Sequence, residues 1–385
     1  MAKQSANIVL FLLLYHTFDK ELRFFFDFSF LAYFYTTFNT YIMQINATLL
    51  NWYQQNKRLL PWRDTQDAYA IWVSEIILQQ TRVAQGLEYY HRFLSTFPTV
   101  CDLASADETE VLRIWQGLGY YSRARNMHKA AKLVVSEYNG VFPTQYEQLL
   151  QLPGIGAYTA AAIASFSSNA PHAAVDGNVY RVLARIFGID TPIDSTAGKK
   201  LFATLAQEQL DLQQPGTYNQ AMMDFGALQC TPTHPNCPIC PFAEACMAAR
   251  THTVEQLPVK TKKLQQRTRH FWYIDIHHNG NTYLQQRPAG DIWQGLYEPY
   301  LIEGEYNENT ITSHPFFQEQ PGTISYISPV FKHVLSHQII LAHFLRYEIQ
   351  DDTLLPASLQ KISGTAIEDY PVPQLIVRYR LLSKR

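Results

Sequence analysis

Two carboxylates and four thiols are placed where they could do chemistry. Glu75 lies in Trp72-Val73-Ser74-Glu75-Ile76-Ile77, a carboxyl among apolar neighbours on a predicted helix. Facing inward it would lose water, which disfavours its charged form and raises its pKa toward neutrality, as a general acid requires. Facing outward beside Ser74 it would be an ordinary surface acid, and the segment alone leaves both open. Asp176, in Val175-Asp176-Gly177-Asn178, stands just before the amphipathic run VYRVLARIFG, where its side chain can cap the first N–H groups of a helix. Cys230, Cys237, Cys240 and Cys246 are spaced C-x6-C-x2-C-x5-C. Such clustering points to metal ligation in a reducing compartment rather than to disulfides, with zinc or an iron–sulfur cluster both compatible with four thiolates. The fifth cysteine, Cys101, reads as buried filler.

The stretch from Tyr146 to Asn178 must position the aspartate. It reads as a helix with Leu149, Leu150 and Leu152 inward, a turn at Pro153-Gly154-Ile155-Gly156, and an alanine-rich helix from Ala157, that is, a helix-hairpin-helix. The N–H groups of such a turn, Gly154 and Gly156 included, suit an anion without regard to sequence, and a nucleic-acid phosphate is the natural ligand. Around it, residues 46–55, 69–79, 83–97, 108–116 and 124–138 carry helical periodicity, with a turn at Leu60-Pro61-Trp62-Arg63-Asp64 and a break at Gly117-Leu118-Gly119-Tyr120-Tyr121. After a basic linker the period changes to two. Phe271 to His277 should pair with Thr282 to Gln286 across Asn279-Gly280, a type I′ hairpin signal, and Ile339 to Ile349 alternates again, so a separate mixed α and β domain is expected.

At 385 residues the chain can hold two or three domains, and 47% apolar with 17% charged residues describes a mostly folded protein. A formal net charge of −2 excludes a polycation. Any nucleic-acid surface must therefore be local: Arg123, Arg125, His128 and Lys129; Arg181 with Arg185; Lys199-Lys200; or the linker with Lys260, Lys262, Lys263, Arg267 and Arg269. Each of these clusters taken alone reads as a solvated face. No Walker A loop and no dinucleotide-binding glycine pattern are found. Residues 1–42 do not match the rest. Their apolar run is too short for a bilayer span and lacks a cleavage pattern, so they are expected to be a poorly ordered or non-native extension, with the domain proper beginning near Gln44.

The combination L-P-G-I-G-A-Y-T-A followed by V-D-G-N resembles the helix-hairpin-helix DNA glycosylases with a catalytic aspartate, the superfamily of endonuclease III. Leu60-Pro61-Trp62-Arg63, Val73-Ser74-Glu75 and Leu78-Gln79-Gln80-Thr81 are similar nearly residue for residue to the MutY-type adenine glycosylases. The resemblance implies that Glu75 protonates the adenine leaving group, and that Asp176, beside Asn178, sits ionised by the developing oxocarbenium ion. It places Tyr158 where endonuclease III has its attacking lysine, in contact with the aspartate, so no lyase step is expected. It carries Leu60, Trp62, Arg63 and Gln220 to the adenine pocket, Trp62 as plain core being the alternative. Gln80, Thr81 and Tyr120 go to the DNA interface, Gln80 and Tyr120 as wedges that fill the gap left by a flipped base. The four cysteines match the [4Fe-4S] motif of the same enzymes, with a role in structure and DNA docking. His234 stands in a loop where relatives often have Lys or Arg. In the last domain, Phe331-Lys332-His333-Val334-Leu335-Ser336-His337 is similar to the loop that senses 8-oxoguanine, with Ser336 and His337 as its reading residues and Leu335 in place of the usual Phe. Asp291 to Glu298 resembles a turn of the same Nudix-like domain, and no glutamate-rich Nudix box follows.

The resulting expectation is a mainly α helix-hairpin-helix glycosylase core with a [4Fe-4S] cluster loop (43–250), a basic linker (251–269) and a C-terminal α+β Nudix-like 8-oxoguanine-recognition domain (270–385). It would be a cytoplasmic, nucleoid-associated monomer acting on double-stranded DNA with an A:8-oxoguanine or A:G mispair, with no membrane partner. The alternatives are an endonuclease III-like glycosylase/lyase on oxidised pyrimidines and a non-catalytic damage-binding protein.

Overall fold

The computed structural model describes residues 44–261, 266–364 and 366–383. The extension at 1–42, with Lys262 and Lys263 of the linker, lies outside them. The described residues group into two compact units, those within 1–76 together with 142–262, and those within 77–141 together with 263–385. This division differs from one drawn on composition, because the helical stretch 77–141 bonds to the sheet domain: Arg125 Nη1 donates to Gln294 O at 2.7 Å, and Gln116 Oε1 accepts from Val372 N at 3.1 Å.

The first unit is helical. It contains helix α1 (44–56), a 3₁₀ turn at Pro61–Arg63, most of α2 (Ala68–Leu78), and, after the helices of the other unit, α7 (Tyr146–Leu149), α8 (Ala157–Ser168), α9 (Gly177–Phe187), α10 (Thr196–Gln209), α11 (Pro215–Leu228) and α12 (Met247–Arg250). Leu49, Tyr53, Val182, Phe202, Ala221 and Phe225 form its main core. The hairpin is formed as expected: α7 leads into a turn with Gly154 at φ +81°, a left-handed angle that disfavours any side chain. Gly156 then starts α8 without a side-chain cap, which leaves the first N–H groups of that helix for an outside acceptor. Leu149 and Leu152 are buried, but Leu150 is 40% exposed, because α7 spans a single turn and cannot turn three leucines inward.

The second unit holds α3 (Val83–Thr96), α4 (Val100–Ser105), α5 (Glu108–Trp115) and α6 (Ser122–Tyr138), followed by an eight-stranded mixed sheet with α13 (Pro315–Glu319) and α14 (Gln374–Ser383). Strands β1 (Arg267–His278) and β2 (Asn281–Gln286) form the expected hairpin, His277 opposite Thr282, with Asn279 at φ +49° and Gly280 at φ +74° as a type I′ turn demands. β1 also runs parallel to the strand Gln338–Ile349. Its alternation feeds two cores: Phe271 and Tyr273 pack with Phe344, Leu375 and Tyr379 on one face, while Trp272, Ile274 and Ile276 pack with Leu345 and Phe316 on the other. Cys101 is exposed on α4 rather than buried.

The basic clusters divide: Lys129, Lys199, Lys200, Lys260 and Arg267 are exposed, as a solvated face would be, whereas several other members are not. Arg123 is buried against the carbonyls of Ile77, Gln79, Leu118 and Gly119, and His128 against that of Ala106. Arg181 and Arg185 are buried likewise, and Arg269 is paired with Asp291 and Glu303. Guanidinium groups satisfy carbonyls that loops leave open, a use that charge counting cannot see.

Candidate active site

Helix α2 reads AYAIWVSEIIL and is apolar nearly all round. Its residues from Ala68 to Ile77 are all buried, Glu75 among them at 6% exposure. The inward reading of Glu75 is the one the structure shows. Burial pushes its carboxyl up to about 7, against the hydrogen bond of Tyr158 and the charge of Arg63, which favour the ionised form. The Tyr158 phenol on α8 donates to Glu75 Oε2 at 2.6 Å. Burial and the nearby carboxyls raise the pKa of that phenol well above its ordinary value, so it stays a donor. Its partner is therefore Glu75, not the aspartate that the resemblance implies.

Asp176 is the N-cap of α9, as the sequence indicates. Its Oδ1 accepts from Asn178 N and Val179 N, both at 2.8 Å, and its Oδ2 from Asn178 Nδ2 at 2.7 Å. Burial raises its pKa, and these bonds act in the opposite direction by stabilising the anion. Capping and holding a negative charge are thus one arrangement, not competing ones. Asn178 Oδ1 in turn accepts from Arg181 Nη2 at 2.8 Å, and Arg181 Nε donates to Cys230 O at 2.8 Å. The crossing of α9 with α11 is close: a Cβ on Gly226 would stand 2.5 Å from that of Asn178. Glu75, Tyr158 and Asp176 thus come together from three elements of the same unit.

Leu60, Trp62 and Arg63 sit at the 3₁₀ turn, where Leu60 and Trp62 are buried. Arg63 Nη1 and Nη2 donate to the two oxygens of Asp224, which is wholly buried on α11 and also accepts from Arg58. Burial pushes Asp224 up, but the two guanidinium groups outweigh it and hold the carboxyl below its usual range. Gln220, one turn earlier, accepts from Tyr53 OH at 2.8 Å. Sequence reasoning missed Asp224, Arg58 and Tyr53. The available signal was the spacing of Gln220 and Asp224, four residues apart on one helix face.

In the second unit Gln80 is exposed with φ +59° and Tyr120 is 49% exposed with φ +46°. Left-handed backbone at two non-glycine residues is the kind of strain that collects at functional positions. Thr81 closes the end of α2, its N–H on Leu78 O at 3.2 Å. Tyr120 OH meets Ser336 Oγ, a contact across 216 positions of sequence. Both line a cleft of about 940 Å³ with Arg125, Arg267, Trp293 and His337. Leu335 packs partly buried against the domain core, so the smaller side chain at that place is filling space.

The four cysteines line one small apolar cavity with Arg185, Ile186 and Phe225. Burial pushes the Cys240 thiol up to about 12, with the other three thiols adding to the rise, so four thiolates here require a compensating cation. Arg185 Nη1 also donates to Cys230 Sγ at 3.5 Å, a bond that suits a ligating sulfur. His234 is exposed with φ +47°, its N–H on Glu255 Oε1.

This arrangement is that of a base-excision glycosylase. Residues 73–207 match the HhH-GPD superfamily of base excision DNA repair proteins, and residues 271–380 match a NUDIX domain. The helical fold is similar to a solved thermostable thymine-DNA glycosylase, with TM-score 0.52 and 28% identity over 55% of this chain and 98% of that one. The adenine DNA glycosylase of Buchnera aphidicola subsp. Acyrthosiphon pisum (strain APS) is 36% identical over 295 residues, covering 73% of this chain and 84% of the relative. That of Homo sapiens is 45% identical over 225 residues, covering 56% of this chain and 41% of the relative. The chain belongs to the adenine DNA glycosylase family, base-excision repair enzymes with a helix-hairpin-helix core and a Nudix-like domain.

Proposed function

We propose that the protein hydrolyses the N-glycosidic bond of adenine mispaired with 8-oxoguanine or guanine in double-stranded DNA. The observation that carries this reading is Glu75, buried and titrating at about 7, beside the capped Asp176. Glu75 delivers its proton to the adenine ring as the bond to C1′ breaks, so that the base leaves neutral rather than as an anion. Asp176 remains an anion held by Asn178 and the helix N–H groups and stabilises the positive charge left on the sugar. Water then adds to C1′ and its proton passes to the Glu75 carboxylate, which regenerates the acid. Tyr158 keeps Glu75 in place and Asn178 keeps Asp176. With a phenol in place of an amine at Tyr158, no Schiff base forms and the strand stays intact.

Gly154 and Gly156 offer their N–H groups to a backbone phosphate. Leu60, Trp62, Arg63 and Gln220 line the adenine pocket, Gln80 and Tyr120 fill the duplex gap, and Thr81 lies beside them at the DNA interface. Ser336 and His337 read the base opposite, the contact of Tyr120 with Ser336 supporting that assignment. Cys230, Cys237, Cys240 and Cys246 would hold a [4Fe-4S] cluster, which would cross-link the loop after α11 and help dock the DNA. No helix among the described residues is long and apolar enough to cross a membrane. We take the enzyme to act as a cytoplasmic, nucleoid-associated monomer.

The test is a strand-labelled A:8-oxoguanine duplex incubated with the protein and then divided, half treated with alkali. Free adenine with strand breaks only in the alkali-treated half is expected. Efficient breakage without alkali, with an adduct trapped by borohydride, would overturn the monofunctional reading.

A further inference from the structure

Asp224 has a 0% exposed carboxylate, which stability alone does not explain, since buried ion pairs on average add little over apolar packing of the same volume. Its partners suggest another reason. Arg63 uses the terminal edge of its guanidinium on Asp224, one N–H from each Nη, and turns the other Nη1–H toward Arg58 O at 3.4 Å. An arginine has five N–H groups in a rigid plane. The two that remain, on Nε and the outer side of Nη2, are adjacent, parallel donors without a partner among the described residues. The Tyr53 ring lies beneath the same guanidinium, its centroid 5.8 Å from Cζ, and the Tyr53 hydroxyl holds Gln220. Gln220 and Asp224 therefore act from one face of α11 on one corner of the pocket.

We propose that Asp224 is a positioning residue for base excision: by occupying the terminal edge of Arg63 it presents the Nε–H and Nη2–H pair to the ring nitrogens of the departing purine. This rests on the adenine-excision reading above. Donors fixed where negative charge grows on the leaving base assist the proton from Glu75, and they need no reorganisation because the carboxylate has already set them. Arg58 shares Asp224 but belongs to none of the groups assigned to the pocket, so it serves as an internal control.

The experiment compares wild type, Asp224→Asn and Arg58→Ala in single-turnover adenine release from an A:8-oxoguanine duplex across pH, with thermal melting alongside. Misplacing a group by about 1 Å can cost ~10²-fold, so Asp224→Asn should lose at least about tenfold and Arg58→Ala less than about threefold. The alkaline limb gives a readout that mere destabilisation would not move. Glu75 is faced by Tyr158 from α8, Asp176 from the start of α9 and Arg63 from the turn. Loosening Arg63 removes a charge that lowers Glu75, so the limb should move to higher pH in Asp224→Asn and stay in place in Arg58→Ala. Equal slowing in both variants with an unmoved limb would reduce Asp224 to a structural pair and overturn the proposal. If Asp224→Asn fails to fold, Asp224→Glu, with the carboxylate displaced by one methylene, must show the same tenfold loss, and a wild-type rate there would overturn it. Wild type that released no adenine would instead defeat the underlying reading, which the variants do not test.

Discussion

The burial of Glu75 has a measurable cost. In the unfolded chain its carboxyl titrates near 4.5, in the fold at about 7. For an acid raised in this way the folded state holds the proton more tightly, so the stability it contributes is complete below pH 4.5 and is lost as pH rises from there to about 7. Above that the loss levels off, at about 3 kcal/mol by pH 8, from 1.36 kcal/mol for each tenfold change in proton affinity. Glu75→Gln removes the titration while its amide oxygen can still accept from Tyr158. The variant and wild type should melt together at pH 4.5 and diverge as pH rises. At pH 8 the variant should be the more stable by about 3 kcal/mol, or roughly 6–12 °C at ~2–4 °C per kcal/mol for a unit of this size. Thermal denaturation followed by circular dichroism at a series of pH values measures it, with other acids cancelling between the two proteins. A difference that is the same at every pH would mean that Glu75 titrates as a surface acid, and the proton donor at neutral pH would be gone from the account.

Three further outcomes follow from the same geometry. Tyr158→Phe removes a bond that lowers Glu75, so the alkaline limb of single-turnover adenine release should move upward with a rate loss smaller than that of Glu75→Gln, and a limb that moved downward would contradict the assignment. The purified protein should carry about four irons per chain, as the [4Fe-4S] resemblance and its four-thiolate motif imply; Cys240→Ser should lower DNA affinity and thermal stability together, and stoichiometric zinc without iron would refute the cluster. Ser336→Ala, which removes the partner of Tyr120, should narrow the preference for 8-oxoguanine over guanine opposite adenine while leaving release from A:G detectable, as judged by the ratio of the two single-turnover rates.

What could be read from the sequence was whatever local chemistry decides. Asn279-Gly280 demanded a left-handed turn and received it, and Asp176 capped the helix it preceded. The alternation of Phe271 to Ile276 set which residues meet α13 and which meet α14. Features decided by distant partners were hidden. Helix α2 is apolar on every side, so no periodicity could say that Glu75 faced Tyr158, 83 positions away. Arg123, Arg181 and Arg185 looked like surface charge because carbonyls that bind them, such as Gln79 O, Cys230 O and Val254 O, come from segments remote in sequence. Asp224 joins Arg58 across 166 positions, and only the packing of α11 against the 3₁₀ turn shows it. The resemblance named residues for the adenine pocket and left out the groups bonded to them, such as Asp224 on Arg63 and Tyr53 on Gln220.

The central claim is that two carboxylates in different environments divide the work, Glu75 giving a proton and Asp176 holding charge. Single-turnover adenine release from an A:8-oxoguanine duplex by wild type, Glu75→Gln and Asp176→Asn tests it most directly. Gln cannot deliver a proton, and Asn keeps the helix cap without the charge. General acid catalysis is worth ~10²- to 10⁴-fold, so each variant should fold, bind the duplex nearly as wild type does and lose at least about 10²-fold in rate. Release within tenfold of wild type by either variant would contradict the account and leave that residue only its structural part.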